Sequence, residues 1–393
     1  MSNKRDECNK LFQQVFDLIK TAKQPIFYCG GGIMPDGYES LRKLVKMLHF
    51  PITTTMMGLG VYPENEPENL QMLGMHGSYE ANMAMYKCDL MLAIGVRFDD
   101  RITGDLKKFS PNSKKVHVDI DKKELNKLVK VDMAVNMSST DFLNGMLKFV
   151  EEELKKDKNV LDKNNIKDWW KQIEGWRSVN CFEYKQKQGR NAKILPQFVL
   201  DTLNDVAKKY NPFYCTDVGQ HQIWATQYCK VNDKRRFITS GGLGTMGFGL
   251  PASIGVQVAN PEDKVVLITG DGSLIMTMHE MATIKKYKLP VKIVLLNNSR
   301  LGMVKQWQEM FYNKNYSETN LEQSNPDFVK LAKSFSIKAR RVKKVKDVKV
   351  ALEKMMQSKK AYLLEFITDP DENVYPMIPV GNGHGEIVLR KDY

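Results

Sequence analysis

Lys264-Val265-Val266-Leu267-Ile268-Thr269-Gly270-Asp271-Gly272-Ser273 decides how this chain folds. The apolar run is strand-sized and strand-like in composition, so it reads as a buried strand that stops at an acid framed by glycines. Glycines let a backbone approach a ligand closely, and Gly272-Ser273 opens the next helix, whose N-terminus favours an anion. A second apolar run, Val291 to Leu296, leads into Asn297-Asn298. Asn298 lies 27 positions after Asp271, room for one crossover helix and the next parallel strand. A carboxylate and an amide oxygen brought to one sheet edge suit Mg²⁺ bound with a diphosphate. A backbone carbonyl in the turn Ser299-Arg300-Leu301-Gly302 is the expected third ligand.

Working outward, Phe213 to Thr216, Phe237-Ile238 and Tyr362 to Ile367 read as strands of the same block. An earlier block holds a helix-like segment, Leu11 to Ala22, and strands at Pro25 to Cys29, Pro51 to Thr55, Leu90 to Ile94 and Lys115 to Ile120. Strands alternating with helices predict an α/β chain of two doubly wound parallel-sheet domains. The expected division is 1–150, a polar helical linker over 151–190 carrying Trp169, Trp170 and Trp176, and 191–393. Asn320 to Asp327 reads as a surface loop.

The 393 residues are 42% hydrophobic and 27% charged, a globular composition with ample core for more than one domain. The net charge of +13 comes from dispersed lysines rather than a basic stripe with interleaved aromatics, which argues against nucleic acid. No run approaches a membrane span, so no membrane partner is expected. The N-terminus is too polar for a signal peptide. Six cysteines without a CxxC pattern read as free thiols in a reducing compartment. A soluble protein of the cytoplasm or a plastid stroma is the expectation.

Further motifs flank the glycine-framed acid. Thr216-Asp217-Val218-Gly219-Gln220-His221-Gln222 follows a strand, and Ser240 to Gly249 is a glycine-rich loop before a helix. That loop lacks the GxGxxG order of a nicotinamide site; its Met246 is placed to cup a flat heterocycle. In the first block Gly30-Gly31-Gly32 follows a strand directly, where backbone N–H groups suit a dinucleotide pyrophosphate. Taken singly, His221 reads as a structural histidine and Trp307 as a core anchor.

Together these runs closely resemble acetolactate synthase (acetohydroxyacid synthase) catalytic subunits, which are thiamine diphosphate enzymes. The resemblance rests on Val218 to Trp224, Ser240 to Pro251, Gly270 to Ser273, Asn297-Asn298, Leu301 to Val304, Gln306 to Tyr312 and Pro376 to Pro379. In the first block it rests on Thr54 to Gly60, Leu73 to Gly77, Gly95 to Gly104 and His117 to Asp121. The resemblance implies that Asp271, Asn298 and the Arg300 carbonyl bind Mg²⁺. It implies that Val218, Gly219, Gln220, His221, Gly244, Met246, Gly270, Gly272, Ser273, Gly302 and Met303 hold thiamine diphosphate. Gln220, Met246 and Trp307 become the catalytic candidates, with Met246 wedged between the cofactor's rings and Trp307 lining the substrate channel.

In the same way the resemblance implies FAD, without a net redox task, among Gly31, Gly32, Thr55, Met56, Met75, His76, Gly95, Arg97, Asp99, Arg101, Asp119 and Ile120. The chain departs from the family at Asn136 to Ser139, where a Gly-Asp pair is usual, and at Pro379-Val380-Gly381.

The implied reaction is decarboxylation of pyruvate and ligation to pyruvate or 2-oxobutyrate, at the entry to branched-chain amino-acid synthesis. A homodimer or tetramer and a regulatory small subunit are the implied assembly. The resemblance spans the family's middle and C-terminal domains but not the pyrimidine-binding one, whose glutamate drives the cofactor's deprotonation. The expectation is that this chain needs a first-domain polypeptide or a full-length subunit to turn over. The alternatives are another carboligase or oxidase of the superfamily, such as glyoxylate carboligase or pyruvate oxidase, or an inactive cofactor-binding fragment.

Overall fold

A computed structural model describes residues 2–233 and 235–390. One sheet comprises β1 (Pro25–Cys29), β2 (Ile52–Thr54), β3 (Asn69–Met72), β4 (Leu90–Ile94), β5 (Lys114–Asp119) and β6 (Met133–Asn136) in the order β3-β2-β1-β4-β5-β6. The other comprises β7 (Phe213–Thr216), β8 (Phe237–Ile238), β9 (Val265–Gly270), β10 (Lys292–Asn297), β11 (Lys338–Val342) and β12 (Tyr362–Ile367) in the order β11-β12-β10-β9-β7-β8. Every pairing is parallel. The chain is therefore α/β and doubly wound, as its alternation predicts. Strands β1, β4, β9 and β10 are buried at every residue, because helices cover both faces of a parallel sheet.

Strand order reverses beside β1 in the first sheet and beside β7 in the second. Such switch points leave a crevice outside the carboxyl ends of the strands, where ligands of open α/β sheets bind. Three strands that sequence patterning missed, β3, β6 and β11, all lie on sheet edges. Edge strands are half solvated, so β6 and β11 carry exposed residues and no long apolar run.

The chain divides into two compact units. One comprises Met1–Phe182, Val231–Arg235 and Tyr375–Tyr393; the other comprises Glu183–Lys230 and Arg236–Val374. Helix Lys167–Arg177 belongs to the first. Its Trp169 is buried there and donates from Nε1 to Pro25 O at 2.9 Å, while Trp170 Nε1 donates to His49 O at 2.9 Å. All six cysteines are free. Among the described residues, no helix is long and apolar enough to cross a membrane.

The segment from Tyr375 onward is stitched to the loops that follow β3 and β4. Ile378 N donates to Met75 O at 2.8 Å, His76 Nδ1 lies 3.1 Å from Pro376 O, and buried His384 Nε2 bonds Ile102 O. Burial pushes both imidazoles down to about 4. An unfolded histidine titrates near 6.5, so between about pH 6.5 and 4 the unfolded chain binds more protons than the folded one. Stability is thus lost as pH falls through that window, by on the order of 3 kcal/mol per histidine at pH 4. Urea unfolding of the chain between pH 7 and 4.5 should show this slope, and His384→Gln should flatten it. An unchanged slope in the variant would remove His384 from the account.

Candidate functional site

Strands β7, β9 and β10 end around one cavity, at the switch point of their sheet. Of the expected residues, Val218, Gly219, Gln220, His221, Met246, Gly270, Asp271, Gly272, Ser273, Asn298, Arg300, Gly302 and Met303 all line it. Gly244 and Trp307 do not. Gly244 sits in the exposed part of the glycine-rich loop, with φ of 64°. Trp307 is half-buried on helix Gly302–Phe311 with its ring edge-on to Phe311.

Asp271 is 1% exposed. Burial pushes its pKa up to about 6, against the pull of the Asn325 amide, whose Nδ2 donates to Oδ2 at 2.7 Å. Burial disfavours the charged form of a carboxylate, and a neighbouring cation would favour it. Among the described residues, no group of three or more His, Cys, Asp and Glu side chains gathers for a metal. One acid with an amide oxygen and a carbonyl fits a hard ion that completes its shell with phosphate and water.

The paired asparagines divide their work. Asn297 is used within the fold: its Nδ2 donates to Glu365 Oε1 at 2.9 Å, and its Oδ1 accepts from Ser299 N at 3.0 Å. Asn298 faces the cavity, its Oδ1 accepting from Arg300 N at 3.1 Å. Arg300 forms a bridge with Asn320, but the bonds are made by Leu301 N to Thr319 O and Leu321 N to Ser299 O, both 2.9 Å. The Arg300 carbonyl is not an acceptor in that bridge.

The facing wall is rich in donors. Helix Gln220–Tyr228 starts at the cavity, and a helix N-terminus favours an anion. His221 Nε2 and Trp224 Nε1 are buried, line the cavity and meet no partner among the described residues. Burial lowers the His221 pKa to about 3 and keeps the ring neutral; a diphosphate beside it would favour the charged, donating form. Gln220 Nε2 is held by Gln306 Oε1 at 2.9 Å and Glu372 O at 3.2 Å. Gln306 is fully buried and pinned to Val374 N and O at 2.8 and 3.0 Å.

At two positions a Cβ would crowd side chains that line the cavity. A Cβ on Gly302 would lie 2.0 Å from Gln220 Oε1 and 2.7 Å from Asn298 Nδ2, and one on Gly272 would lie 2.8 Å from Leu301 Cδ2. Asp217, to which sequence reading gave no role, organises the Met246 loop. It is wholly buried, and its carboxylate accepts from Gly247 N at 2.6 Å and Gly249 N at 3.2 Å. Trp224, Leu296 and Thr368 also line the cavity without having been singled out. Trp224 was legible as an aromatic on the first helix turns after a strand end; Thr368 follows a strand with no motif of its own.

In the first unit the expected flavin residues follow the carboxyl ends of β1 to β5. Gly30 and Gly32 press against Gly95: their Cβ atoms would fall 2.3 Å from Gly95 O and 2.7 Å from Gly95 Cα. Thr55 Oγ1 accepts from Gly58 N at 3.1 Å, and Asp99 Oδ1 accepts from Arg101 N at 3.1 Å. Arg97 Nη2 lies 3.6 Å from Asp99 Oδ2 on an exposed surface. Asp119 Oδ1 accepts from Asp121 N at 2.8 Å, and Ile120 is 75% exposed. Gly31 is exposed, Met56 is half-buried, and Met75 and His76 lie under the 375–390 segment.

A switch-point cavity with one buried acid, a facing amide and a donor-rich helix start has the chemistry to take a diphosphate together with a hard cation. The thiamine pyrophosphate enzyme central domain matches residues 12–146, and the thiamine pyrophosphate enzyme C-terminal TPP binding domain matches 217–366. The chain belongs to the thiamine pyrophosphate enzymes. Its homologues there are acetolactate synthase large subunits. It is 42% identical over 379 residues to the acetolactate synthase large subunit of Buchnera aphidicola subsp. Schizaphis graminum, covering 95% of this chain and 64% of that one. It is 41% identical to the isozyme 3 large subunit of Escherichia coli (96% and 65%) and 40% identical to the chloroplastic acetolactate synthase 1 of Zea mays (98% and 59%). The chain thus spans somewhat under two thirds of the length of these relatives.

Proposed function

We propose that this chain supplies the Mg²⁺–thiamine diphosphate half of an acetolactate synthase active site. The observation that carries the reading is the lone buried Asp271 sharing a cavity with Asn298, Arg300 and the unpartnered His221 Nε2. Asp271, Asn298 and the Arg300 carbonyl would hold Mg²⁺. His221, Gln220, Ser273 and the backbone around Gly219, Gly272, Gly302 and Met303 would hold the diphosphate. When bound, thiamine diphosphate supplies a carbanion sink for decarboxylating a 2-oxo acid.

The chain's own residues do the placing. Asp217 fixes the loop so that Met246 stands over the cavity, where an apolar side chain shapes the heterocycle's pocket and keeps water out. Gln306 fixes Gln220 against the start of the diphosphate wall. Trp307, one turn along the helix from Met303, is in reach of a substrate path above the cavity. Pyruvate, with pyruvate or 2-oxobutyrate as acceptor, is the substrate set this reading assigns; a homo-oligomer and a regulatory small subunit are its partners.

In the first unit, the backbone N–H groups at Gly31 and Gly32, with Arg97, Asp119 and the loops ending β2 to β4, would hold FAD in a structural role. As domains we propose the division 1–150, 151–190 and 191–393; the compact units differ from it in joining helix Lys167–Arg177 and residues 375–390 to the first. The test is acetolactate formation from pyruvate, with the chain alone and with the part of a large-subunit relative that it does not span. Acetolactate in the combined arm only supports the proposal; acetolactate from the chain alone would overturn the half-site reading. None in either arm would favour a non-catalytic cofactor-binding fragment, and tartronate semialdehyde or acetyl phosphate as sole product would exclude the reaction.

A further inference from the structure

Asp271 and the turn carrying Asn298 and Arg300 follow different strands, yet one short stretch, Asn325-Pro326-Asp327, grips both. Sequence reading made this stretch part of a surface loop, but Asn325 Nδ2 donates to Asp271 Oδ2 at 2.7 Å. The other end of the Asn325 amide, Oδ1, is buried and accepts from nothing among the described residues. A buried acceptor left empty costs about 1–3 kcal/mol. The carboxylate, not the amide's own satisfaction, therefore sets where this side chain lies.

Two residues on, Asp327 Oδ1 accepts from Arg341 Nη2 at 3.0 Å, and Arg341 Nε donates to Glu365 Oε2 at 2.6 Å. Glu365 is 1% exposed, and its other oxygen accepts from Asn297 Nδ2 at 2.9 Å. Asn297 Oδ1 then accepts from Ser299 N at 3.0 Å, holding Ser299 at φ of 55°. That left-handed conformation costs free energy outside glycine, so the chain of bonds behind it has a definite task. It aims the turn on which Asn298 and Arg300 reach the cavity.

We propose that Asn325-Pro326-Asp327 is a positioning bracket for the cation site. Asn325 orients Asp271 directly, and Asp327 orients the Asn298–Arg300 turn through Arg341, Glu365 and Asn297. The inference rests on the Mg²⁺–diphosphate reading above. A hydrogen bond to the outer oxygen of a ligating carboxylate leaves the inner one for the ion, and such outer partners carry about 10–100-fold of metal affinity.

Calorimetric titration of the full chain with Mg²⁺, in excess thiamine diphosphate, tests it with Asn325→Leu, Arg341→Met and Arg341→Lys. Asn325→Leu and Arg341→Met should each weaken the apparent Mg²⁺ affinity by about 10-fold or more, and Arg341→Lys should recover part of the loss. The urea midpoint of ligand-free Asn325→Leu should stay near that of the parent. Equal Mg²⁺ affinity in parent and Asn325→Leu overturns the bracket and leaves the site reading standing. Affinity and urea midpoint falling together make the contact purely structural and overturn it as well. A parent chain that takes up no Mg²⁺ with thiamine diphosphate overturns both proposals.

Discussion

Asp271→Asn is expected to weaken Mg²⁺-dependent binding of thiamine diphosphate by roughly 100-fold, a loss of about 2.7 kcal/mol, while leaving the ligand-free chain at least as stable. The two halves of the expectation share one cause. Asp271 is held at 1% exposure with its pKa pushed up to about 6 by burial, so its charge is a liability to the fold until a cation offsets it. The amide keeps the shape and can still accept from Asn325, which now donates to Oδ2 at 2.7 Å. It brings no charge to a hard dication. Thermal unfolding with and without Mg²⁺ and thiamine diphosphate measures both quantities. A variant that is stabilised by the cofactor pair as strongly as its parent would end the assignment of Asp271 as a ligand.

The same glycine-to-alanine change should have opposite consequences at two positions. Gly30→Ala places a methyl 2.3 Å from Gly95 O, a backbone atom that cannot step aside without opening the junction of β1 and β4. A loss of about 3 kcal/mol or more is expected, at the upper end of overpacking costs. Gly302→Ala meets Gln220 Oε1 at 2.0 Å and Asn298 Nδ2 at 2.7 Å, the far ends of side chains that can swing away. Its stability should change by less than about 1 kcal/mol, helped by alanine's better helix propensity. Its affinity for the Mg²⁺–diphosphate pair should fall by about 10-fold or more, because the displaced groups are the proposed ligands and their support. Urea unfolding beside cofactor titration separates the two. If Gly302→Ala loses stability and Gly30→Ala does not, the contacts named here are misassigned.

Much of the second unit was legible before any coordinates. Its central strands are continuous apolar runs because both faces are buried, and Gly270-Asp271-Gly272-Ser273 and Asn297-Asn298 stand at their ends, where a parallel sheet gathers its loops. The edge strands were not legible. β11 reads Lys338-Ala339-Arg340-Arg341-Val342, a charged stretch that becomes a strand only because β12 lies beside it. His221 has an ordinary structural reading from its neighbours in sequence; that its Nε2 is buried and meets no partner among the described residues is seen only in the structure. Asp217 could not be separated from any other acid after a strand, since its role depends on backbone N–H groups at Gly247 and Gly249.

By itself the sequence determined the α/β class, the strands of the two sheet centres and most of the residues that line the cavity proposed to hold the diphosphate and cation. Periodicity, glycine placement and the spacing from Asp271 to Asn298 are local quantities, and local quantities survive without coordinates. Only the tertiary structure decided which asparagine faces the cavity and which is used in the fold. It alone decided that Asn325 reaches back to Asp271, and that the segment from Tyr375 onward returns to the first unit. Those outcomes depend on hydrogen bonds between residues dozens to hundreds of positions apart, selected by which polar groups burial would otherwise leave unpaired.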